Sequence, residues 1–489
     1  MGGEKVMKTY KLFDYQEEAV QQITDFFIHG GRSTILQLPT GAGKSLTAVE
    51  FIKRCREDNK PVYFLTHSKN LLWQFSDHLT EYGVPHGIIS SGSPVLKYKI
   101  QVISAMSLKS RIHLLPEPSY IIAEEAHHSA SAMFSDVFKY WPHAKILGLT
   151  ATPERLDGKP LDMYENIITL HQVRWFIDNG YLSDYEYYVP SELDTSGIHR
   201  VMGDFNKKEL KDLLKKQSGR VGQIVENYKK YADGLPAIAF ATSIEDSENI
   251  AERFINAGYD MHALHSKMKG DLMKELEKCR NGDISLLSSC MSIGEGTDVK
   301  GLTVSLDCRP TQSLTIYLQH VGRVLRTKYA PGYNLSTREG RLAAIEAGGK
   351  KKAIILDFSS NYTRHGLPDD EREWSLKPKN KKKIQEKSTL KRCPNCQRPV
   401  PRIASNCPYC NYQFVTAHAT ARQIEEKDGE LVNIKSMKEH THQDQQFFIR
   451  EIARRAHNQK QAIAIGRELG LNSQGAWFIW RKILKKTGW

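Results

Sequence analysis

Residues 33–45 read STILQLPTGAGKS and determine the class of fold. The apolar run ILQLP is typical of a buried strand, and the periodicity of the following SLTAVEFIKRCRED predicts a helix. Two glycines between them let backbone N–H groups turn toward one point, and the next two residues add a charge and a hydroxyl. The stretch therefore predicts a strand, a phosphate-binding loop and a helix. The loop residues are Thr40, Gly41, Ala42, Gly43, Lys44 and Ser45.

Strands and helices alternate on both sides of this loop. Short apolar runs such as PVYFLTH and SYIIAEEAHH are separated by helical patterns up to about residue 157, and a second series begins with AIAFATS. Such alternation predicts parallel sheets with helices on both faces. We therefore expect an α/β fold with two sheet domains, at 1–157 and 235–365, and a helix-rich connecting segment at 158–234.

The C-terminal part differs in composition. Residues 371–489 hold 24 Lys/Arg against 11 Asp/Glu, which accounts for the whole net charge of +13. A basic tail on a neutral body is typical of polyanion binding, although a solvated lysine-rich tail has the same charge. We divide this part into a basic linker at 366–392, a cysteine-rich segment at 393–412 and a basic helical region at 413–489.

The length and the apolar content bound the class of protein. A chain of 489 residues is too long for one compact core. No stretch approaches the roughly 18 consecutive apolar residues of a membrane span, and the N-terminal MGGEKVMKTYKLFDYQ lacks an apolar signal-peptide core. We expect an intracellular protein with several domains and no membrane partner.

Two further stretches carry charged side chains in defined patterns. Residues 121–130 read IIAEEAHHSA, an apolar run that ends in two glutamates and is followed by two histidines. Residues 319–326 read QHVGRVLR, in which two arginines three positions apart share one helix face. Planar guanidinium groups suit the charge that builds on a transferring phosphoryl group, although in isolation a solvated basic helix would have the same pattern.

In their order along the chain, these motifs resemble those of the DEAD/DEAH-type superfamily 2 helicases, and most closely the phage and prophage members with a C-terminal zinc ribbon. The resemblance runs from about Tyr10 to Asp357. It implies two tandem RecA-like domains, of which the first binds ATP with Mg²⁺ as cofactor. It also implies a cytoplasmic protein of a bacterial or phage-infected cell.

The resemblance also implies which residues contact the nucleotide and the nucleic acid. Gln16 would read the adenine, whereas Gly296 and Asp298 belong to a motif that senses both nucleotide and strand. Arg323 and Arg326 would be arginine fingers, with Gln319 in the same catalytic motif. A further set would contact nucleic acid: Thr66, His67, Ser104, Met106, Thr242 and Ser243.

In the acidic motif, the resemblance places Glu124 at the magnesium position together with Ser45, Glu125 as the base that polarises the attacking water, and His127 as a link to the second domain. Related motifs have aspartate where this chain has Glu124. Because Mg²⁺ demands near-ideal geometry, three outcomes compete: an outer-sphere site that tolerates the longer side chain, a slowed enzyme, and an inactive ATPase kept for binding. Phe13 is a second departure, since related motifs often have arginine beside the adenine.

Four cysteines form two Cys-x-x-Cys pairs that are ten residues apart: Cys393, Cys396, Cys407 and Cys410. Pairs of this kind can close a tetrahedral site for structural Zn²⁺, and so short a segment has no core without a metal. Lysines and arginines flank the pairs, so the expected ribbon contacts nucleic acid or docks a protein. Farther on, Trp477 and Trp480 at helical spacing favour a small core over base stacking.

The combined features favour an ATP-dependent DNA helicase or translocase that unwinds or remodels forked, branched or single-stranded DNA. RNA is the less favoured partner, and replication or recombination proteins are further candidate partners. Two alternatives stay open: a nucleotide-gated DNA-binding scaffold with weak ATPase because of Glu124, and the motor subunit of a restriction-like complex.

Overall fold

The strand and loop at residues 33–45 lie near one edge of the first of two parallel sheets. The computed structural model describes residues 10–377 with several breaks, of which 291–300 is the longest, and scattered residues from 390 onward. The first sheet has the order β3-β4-β2-β5-β6-β1-β7, and all of its paired strands are parallel. The strands are β1 (Ser33–Gln37), β2 (Val62–Thr66), β3 (Gly87–Ile89), β4 (Ile100–Ser104), β5 (Tyr120–Glu124), β6 (Lys145–Thr150) and β7 (Asn166–Thr169).

Helices cover this sheet because each has an apolar stripe. In the first helix, for example, buried Ala19, Ile23 and Phe27 recur at helical spacing and face the core. The helices are α1 (Asp14–Ile28), α2 (Lys44–Glu57), α3 (Lys69–Glu81), α4 (Ala105–Leu108) and α5 (Ala132–Tyr140), with 3₁₀ turns at Ile112–Leu114 and Ala126–His128. Strands β1, β2 and β4 are buried along their whole length, as expected for a sheet covered on both faces.

The segment predicted to connect the domains contributes a strand to each sheet. It contains β7 of the first sheet and a strand of the second, β8 (Asp184–Val189). Its other elements are α6 (Val173–Asp178), the hairpin strands β9 (Arg200–Val201) and β10 (Asp204–Phe205), α7 (Lys207–Lys216) and α8 (Arg220–Ala232). The segment is therefore built into both lobes.

The second sheet repeats the architecture of the first. Its parallel part has the order β12-β13-β11-β14-β15-β8. The strands are β11 (Ala237–Phe240), β12 (Met261–Leu264), β13 (Leu286–Ser289), β14 (Val304–Asp307) and β15 (Lys352–Asp357). The helices are α9 (Ile244–Asn256), α10 (Leu272–Asn281), α11 (Leu314–Val324), α12 (Arg338–Ala347) and α13 (Asn361–His365). The predicted α/β fold with two parallel-sheet domains is confirmed.

Beyond residue 390 the described residues are few. Strands β16 (Leu390–Arg392) and β17 (Pro399–Pro401) form an antiparallel pair, and β18 (Val432–Asn433) adds an antiparallel edge to the second sheet. Helix α14 (Gln459–Glu468) belongs to a small apolar cluster against which Trp480 packs. Among the described residues, no helix combines the length and the apolar character needed to cross a membrane.

Candidate active site

The loop between β1 and α2 has the backbone of an anion site. Gly41 and Gly43 have φ values of 91° and 74°, a region that favours glycine, and α2 begins directly after them at Lys44. The Lys44 ammonium donates to the carbonyls of Leu38 and Pro39, at 3.1 and 3.4 Å. Burial lowers its pKa, and the carboxylates of the acidic motif oppose that shift. The loop thus holds the Lys44 ammonium against its own main chain, close to the carboxylates of Glu124 and Glu125.

The first helix is tied to this loop by two side chains. The Tyr15 hydroxyl donates to the carbonyl of Ala42 at 2.9 Å, and the Gln16 amide contacts the carbonyl of Gly43 at 3.4 Å. The same glutamine accepts from the backbone N–H of Phe13 at 3.0 Å. Gln16 therefore lies against the phosphate loop, where a nucleotide held by the loop would be within reach.

Phe13 joins an aromatic cluster at the position where related motifs often carry arginine. Its ring lies 4.9 Å from that of Tyr181, centroid to centroid. The Arg341 guanidinium from α12 covers Tyr181 at 3.9 Å and lies 5.9 Å from Phe13. An arginine is therefore present near this end of the cleft, but it comes from the second lobe. The sequence offered no signal for it, because Phe13 and Arg341 are far apart in the sequence.

The acidic motif lies at the carboxyl end of β5, beside the phosphate loop. Glu124 ends the strand, and Glu125 follows with a φ of 50°, which is uncommon for a residue with a side chain. Such strain concentrates at functional sites. The Glu125 carboxylate lies 3.4 Å from Nδ1 of His127, which in turn contacts the Thr150 hydroxyl at 3.0 Å. Ser45 and Glu124 carry oxygen donors of the kind that Mg²⁺ prefers.

The second lobe reaches this site through α11. The Gln319 amide donates to Glu125 at 3.2 Å, and the hydroxyls of Thr152 and Thr315 lie 2.8 Å apart across the cleft. Gly322 packs on the phosphate loop so closely that a Cβ there would lie 2.4 Å from Cβ of Thr40. Glycine is therefore required at position 322 for the two lobes to approach.

Arg323 and Arg326 both lie near the phosphate loop, but only Arg323 is on α11. Arg326 lies two residues beyond the helix and forms a bridge with Leu182, so the prediction that the two arginines share one helix face is wrong. Their positive charges act on the amine of Lys44 and lower its pKa. Arg323 is buried, and Cγ of Arg326 lies 3.1 Å from the point that a Cβ on Gly41 would occupy. The structure thus brings Lys44, Glu125, Gln319 and the two arginines together. Gly296 and Asp298 lie outside the described residues.

The residues predicted to touch nucleic acid end or follow β2, β4 and β11, but they differ in exposure. Thr66 and Ser104 are paired in register and buried, whereas Met106 is 73% exposed. Thr242 and Ser243 cap α9 by bonding Asp246, and His67 packs against the ring of His128. Trp73 on α3 is 48% exposed in the same lobe, and the sequence analysis did not predict this exposed aromatic side chain. Its position off the apolar stripe of α3 is the signal that could have indicated its exposure.

The predicted zinc site falls mainly outside the described residues, which include only Cys407 of the four cysteines. Cys407 is buried, and its N–H donates to the carbonyl of Tyr412 at 2.8 Å. In the described part of the chain, no group of three or more metal-binding side chains occurs. The zinc prediction stays a prediction.

Comparisons with known proteins agree with this geometry. Residues 9–155 match the family described as type III restriction enzyme, res subunit, and residues 207–328 match the helicase conserved C-terminal domain. A 51.5 kDa protein of Lactococcus phage (isolate 7-9) is 31% identical over 405 residues, which cover 81% of this chain and 80% of the phage protein. The DNA 3'-5' translocase XPB2 of Sulfurisphaera tokodaii is 24% identical over 358 residues, covering 65% and 79% of the two chains.

Among solved structures, the ATP-dependent type ISP restriction-modification enzyme LlaBIII bound to DNA matches with a TM-score of 0.48 and 18% identity, over 72% of this chain and 32% of that enzyme. Two parallel-sheet lobes, with a phosphate loop on one and an arginine-bearing helix on the other, define a two-lobed P-loop ATPase. The chain belongs to the superfamily 2 helicases, with two tandem RecA-like domains, and it is an ATP hydrolase.

Proposed function

We propose that the chain is an ATP-driven motor that moves along DNA and unwinds or remodels forked or branched substrates. The contact that carries this proposal joins the lobes at the acid itself, where Gln319 of α11 donates to Glu125. A carboxylate held from both lobes is in place only when the cleft is closed. Hydrolysis is then linked to lobe movement, as a translocating enzyme requires.

In the proposed mechanism, the backbone N–H groups of residues 40–45 and the Lys44 amine bind the β- and γ-phosphates of ATP. Ser45 and Glu124 would hold Mg²⁺, which when bound neutralises charge on those phosphates. Glu125 accepts the proton of the attacking water, and His127 orients the carboxylate. Gln16 contacts the adenine, and Gly296 and Asp298 sense the nucleotide.

Charge on the leaving phosphate is balanced from the second lobe. Arg323 and Arg326 supply planar guanidinium groups, and Gln319 helps to position the water. When the phosphate leaves, this attraction is lost and the lobes separate. One strand of the DNA would bind near the exposed Met106. Its phosphate backbone would also contact Thr66, His67, Ser104, Thr242 and Ser243.

DNA-stimulated ATPase, measured beside two variants, tests the motor against a nucleotide-gated scaffold. We expect the wild type to hydrolyse ATP, with Glu124→Asp within about tenfold of it, because a water-bridged carboxylate tolerates a small shift. Lys44→Ala should lose at least about 10²-fold, since it removes the cation beside the phosphates. A wild type as inactive as Lys44→Ala, beside an active Glu124→Asp, would instead favour the scaffold.

The restriction-like motor is a second candidate because residues 9–155 match a restriction-enzyme family. Such a motor translocates on duplex DNA without separating its strands. Displacement of a third strand from a triplex, with no unwinding of forked or four-way DNA, would favour it. Unwinding of the forked substrates would favour the helicase.

We also propose that Cys393, Cys396, Cys407 and Cys410 hold one structural zinc in a ribbon that contacts DNA. Support comes from the spacing and from two antiparallel pairings. Strands β16 and β17 flank Cys393 and Cys396 in the sequence, and the bridge between Asn406 and Gln413 flanks Cys407 and Cys410. The purified chain should contain about one zinc ion, as a tetrahedral thiolate site requires.

Elemental analysis of the purified chain tests the zinc proposal. We expect Cys393→Ser to lose the metal and to weaken DNA binding, whereas the matched control Cys279→Ser, at a buried cysteine of α10, should keep both. Full zinc content in Cys393→Ser would contradict the assignment. Loss of zinc without loss of DNA affinity would favour a ribbon that docks a protein.

A further inference from the structure

Lys350 is a buried lysine that the proposed mechanism does not use. It precedes β15 and is 4% exposed. Its ammonium donates to three main-chain carbonyls: Leu302 at 2.7 Å, Val324 at 2.7 Å and Arg326 at 2.5 Å. Three N–H donors thus meet three acceptors. The contacts link Lys350, which precedes β15, to Leu302, which precedes β14, and to the C-terminal end of α11.

Two of these carbonyls lie at the C-terminal end of α11, where helix carbonyls have no partner within the helix. Val324 is the last residue of the helix, and Arg326 lies two residues farther. Ser183 completes the set, since its N–H donates to the carbonyl of Leu325 at 2.7 Å and its hydroxyl to that of Arg326 at 3.2 Å. Every carbonyl from 324 to 326 is therefore held from outside the helix.

An amine at this position is costly. Burial, followed by the positive charges of Arg326 and Lys328, lowers the pKa of Lys350 to about 7. An apolar side chain would fill the same space without that cost. The hydrogen bonds to the main chain are therefore the contribution that distinguishes lysine here.

We propose that Lys350 is a positioning residue for ATP hydrolysis: it fixes the main chain around Arg326 so that this guanidinium stays directed at the phosphate loop. The inference rests on the proposed catalytic role of Arg326. The third contact of Lys350 is to the carbonyl of Leu302, a residue that lies four positions after Asp298 in the sequence.

The test compares Lys350→Met with Lys351→Met, a control at the neighbouring exposed lysine, which pairs with Glu346. We expect Lys350→Met to lower the DNA-stimulated kcat by about 10- to 100-fold, because shifts of about 1 Å have effects of that size. The KM for ATP should change by less than about threefold, since the phosphate loop is intact. Lys350→Gln, which keeps two N–H donors, should recover part of the rate.

A double variant separates positioning from general stability. Because Lys350 acts through Arg326, Arg326→Ala combined with Lys350→Met should be no slower than Arg326→Ala alone. Additive losses, or a wild-type kcat in Lys350→Met, would overturn the inference. If Lys350→Met does not fold, as judged by its melting temperature, Lys350→Gln is compared in the same way. Normal hydrolysis by Arg326→Ala would overturn the role of Arg326 and this inference with it, whereas a loss confined to Arg326→Ala would overturn this inference alone.

Discussion

Glu125→Gln should bind ATP and fail to hydrolyse it. We expect kcat to fall by about 10²- to 10⁴-fold, the usual effect of removing a general base. Glutamine keeps the size of the side chain and can still accept from Gln319, whose amide lies 3.2 Å from Glu125. The interlobe contact should therefore survive, while the negative charge that attracts the proton of the attacking water is lost.

The measurement is single-turnover hydrolysis together with equilibrium binding of ATP. Glu57→Gln is the matched control, because Glu57 is exposed at the end of α2 and should behave as the wild type. Affinity for ATP should stay within about threefold in both variants, since the phosphate loop is unchanged. Hydrolysis by Glu125→Gln at the wild-type rate would show that another group activates the water.

Local sequence was sufficient to predict the phosphate loop and the acidic motif. Gly41, Gly43 and Lys44 are neighbours in the chain, and their spacing alone indicates backbone N–H groups at a helix start. The alternation of apolar runs and helical patterns likewise predicted two parallel sheets. The loop and the individual strands and helices depend on residues that are close together in the sequence, which is why a single sequence indicates them. The pairing of the strands joins residues far apart in the chain and was inferred from the alternation alone.

Other parts of the site depend on contacts between distant residues. The hydroxyls of Thr152 and Thr315 are in contact because the two lobes lie against each other. No pattern in the sequence predicts this contact. Arg341 lies 5.9 Å from the ring of Phe13, although the two residues are far apart in the sequence. The left-handed backbone of Glu125 was also not predicted, because a φ of 50° runs against the preference of a residue with a side chain.

The second large effect is expected at Arg326. Its main chain is held by Lys350 and Ser183, and its side chain passes Gly41 of the phosphate loop. We therefore expect the guanidinium to reach the γ-phosphate of a bound ATP. Arg326→Ala should lower kcat by about 10³- to 10⁵-fold, as removal of arginine fingers does in other phosphoryl-transfer enzymes. Binding of ATP should weaken far less, because the charge that Arg326 balances develops mainly in the transition state.

Arg326→Lys distinguishes charge from shape at this position. Lysine retains the positive charge but not the planar fork, so we expect it to recover less than a tenth of the wild-type kcat, a threshold of about 1.4 kcal/mol in the barrier. Arg253→Ala, at an exposed position of α9, serves as the control for general loss of arginine. A full rate in Arg326→Lys would mean that only charge is required there. A full rate in Arg326→Ala would leave Arg323 as the candidate finger, since its positive charge also acts on Lys44.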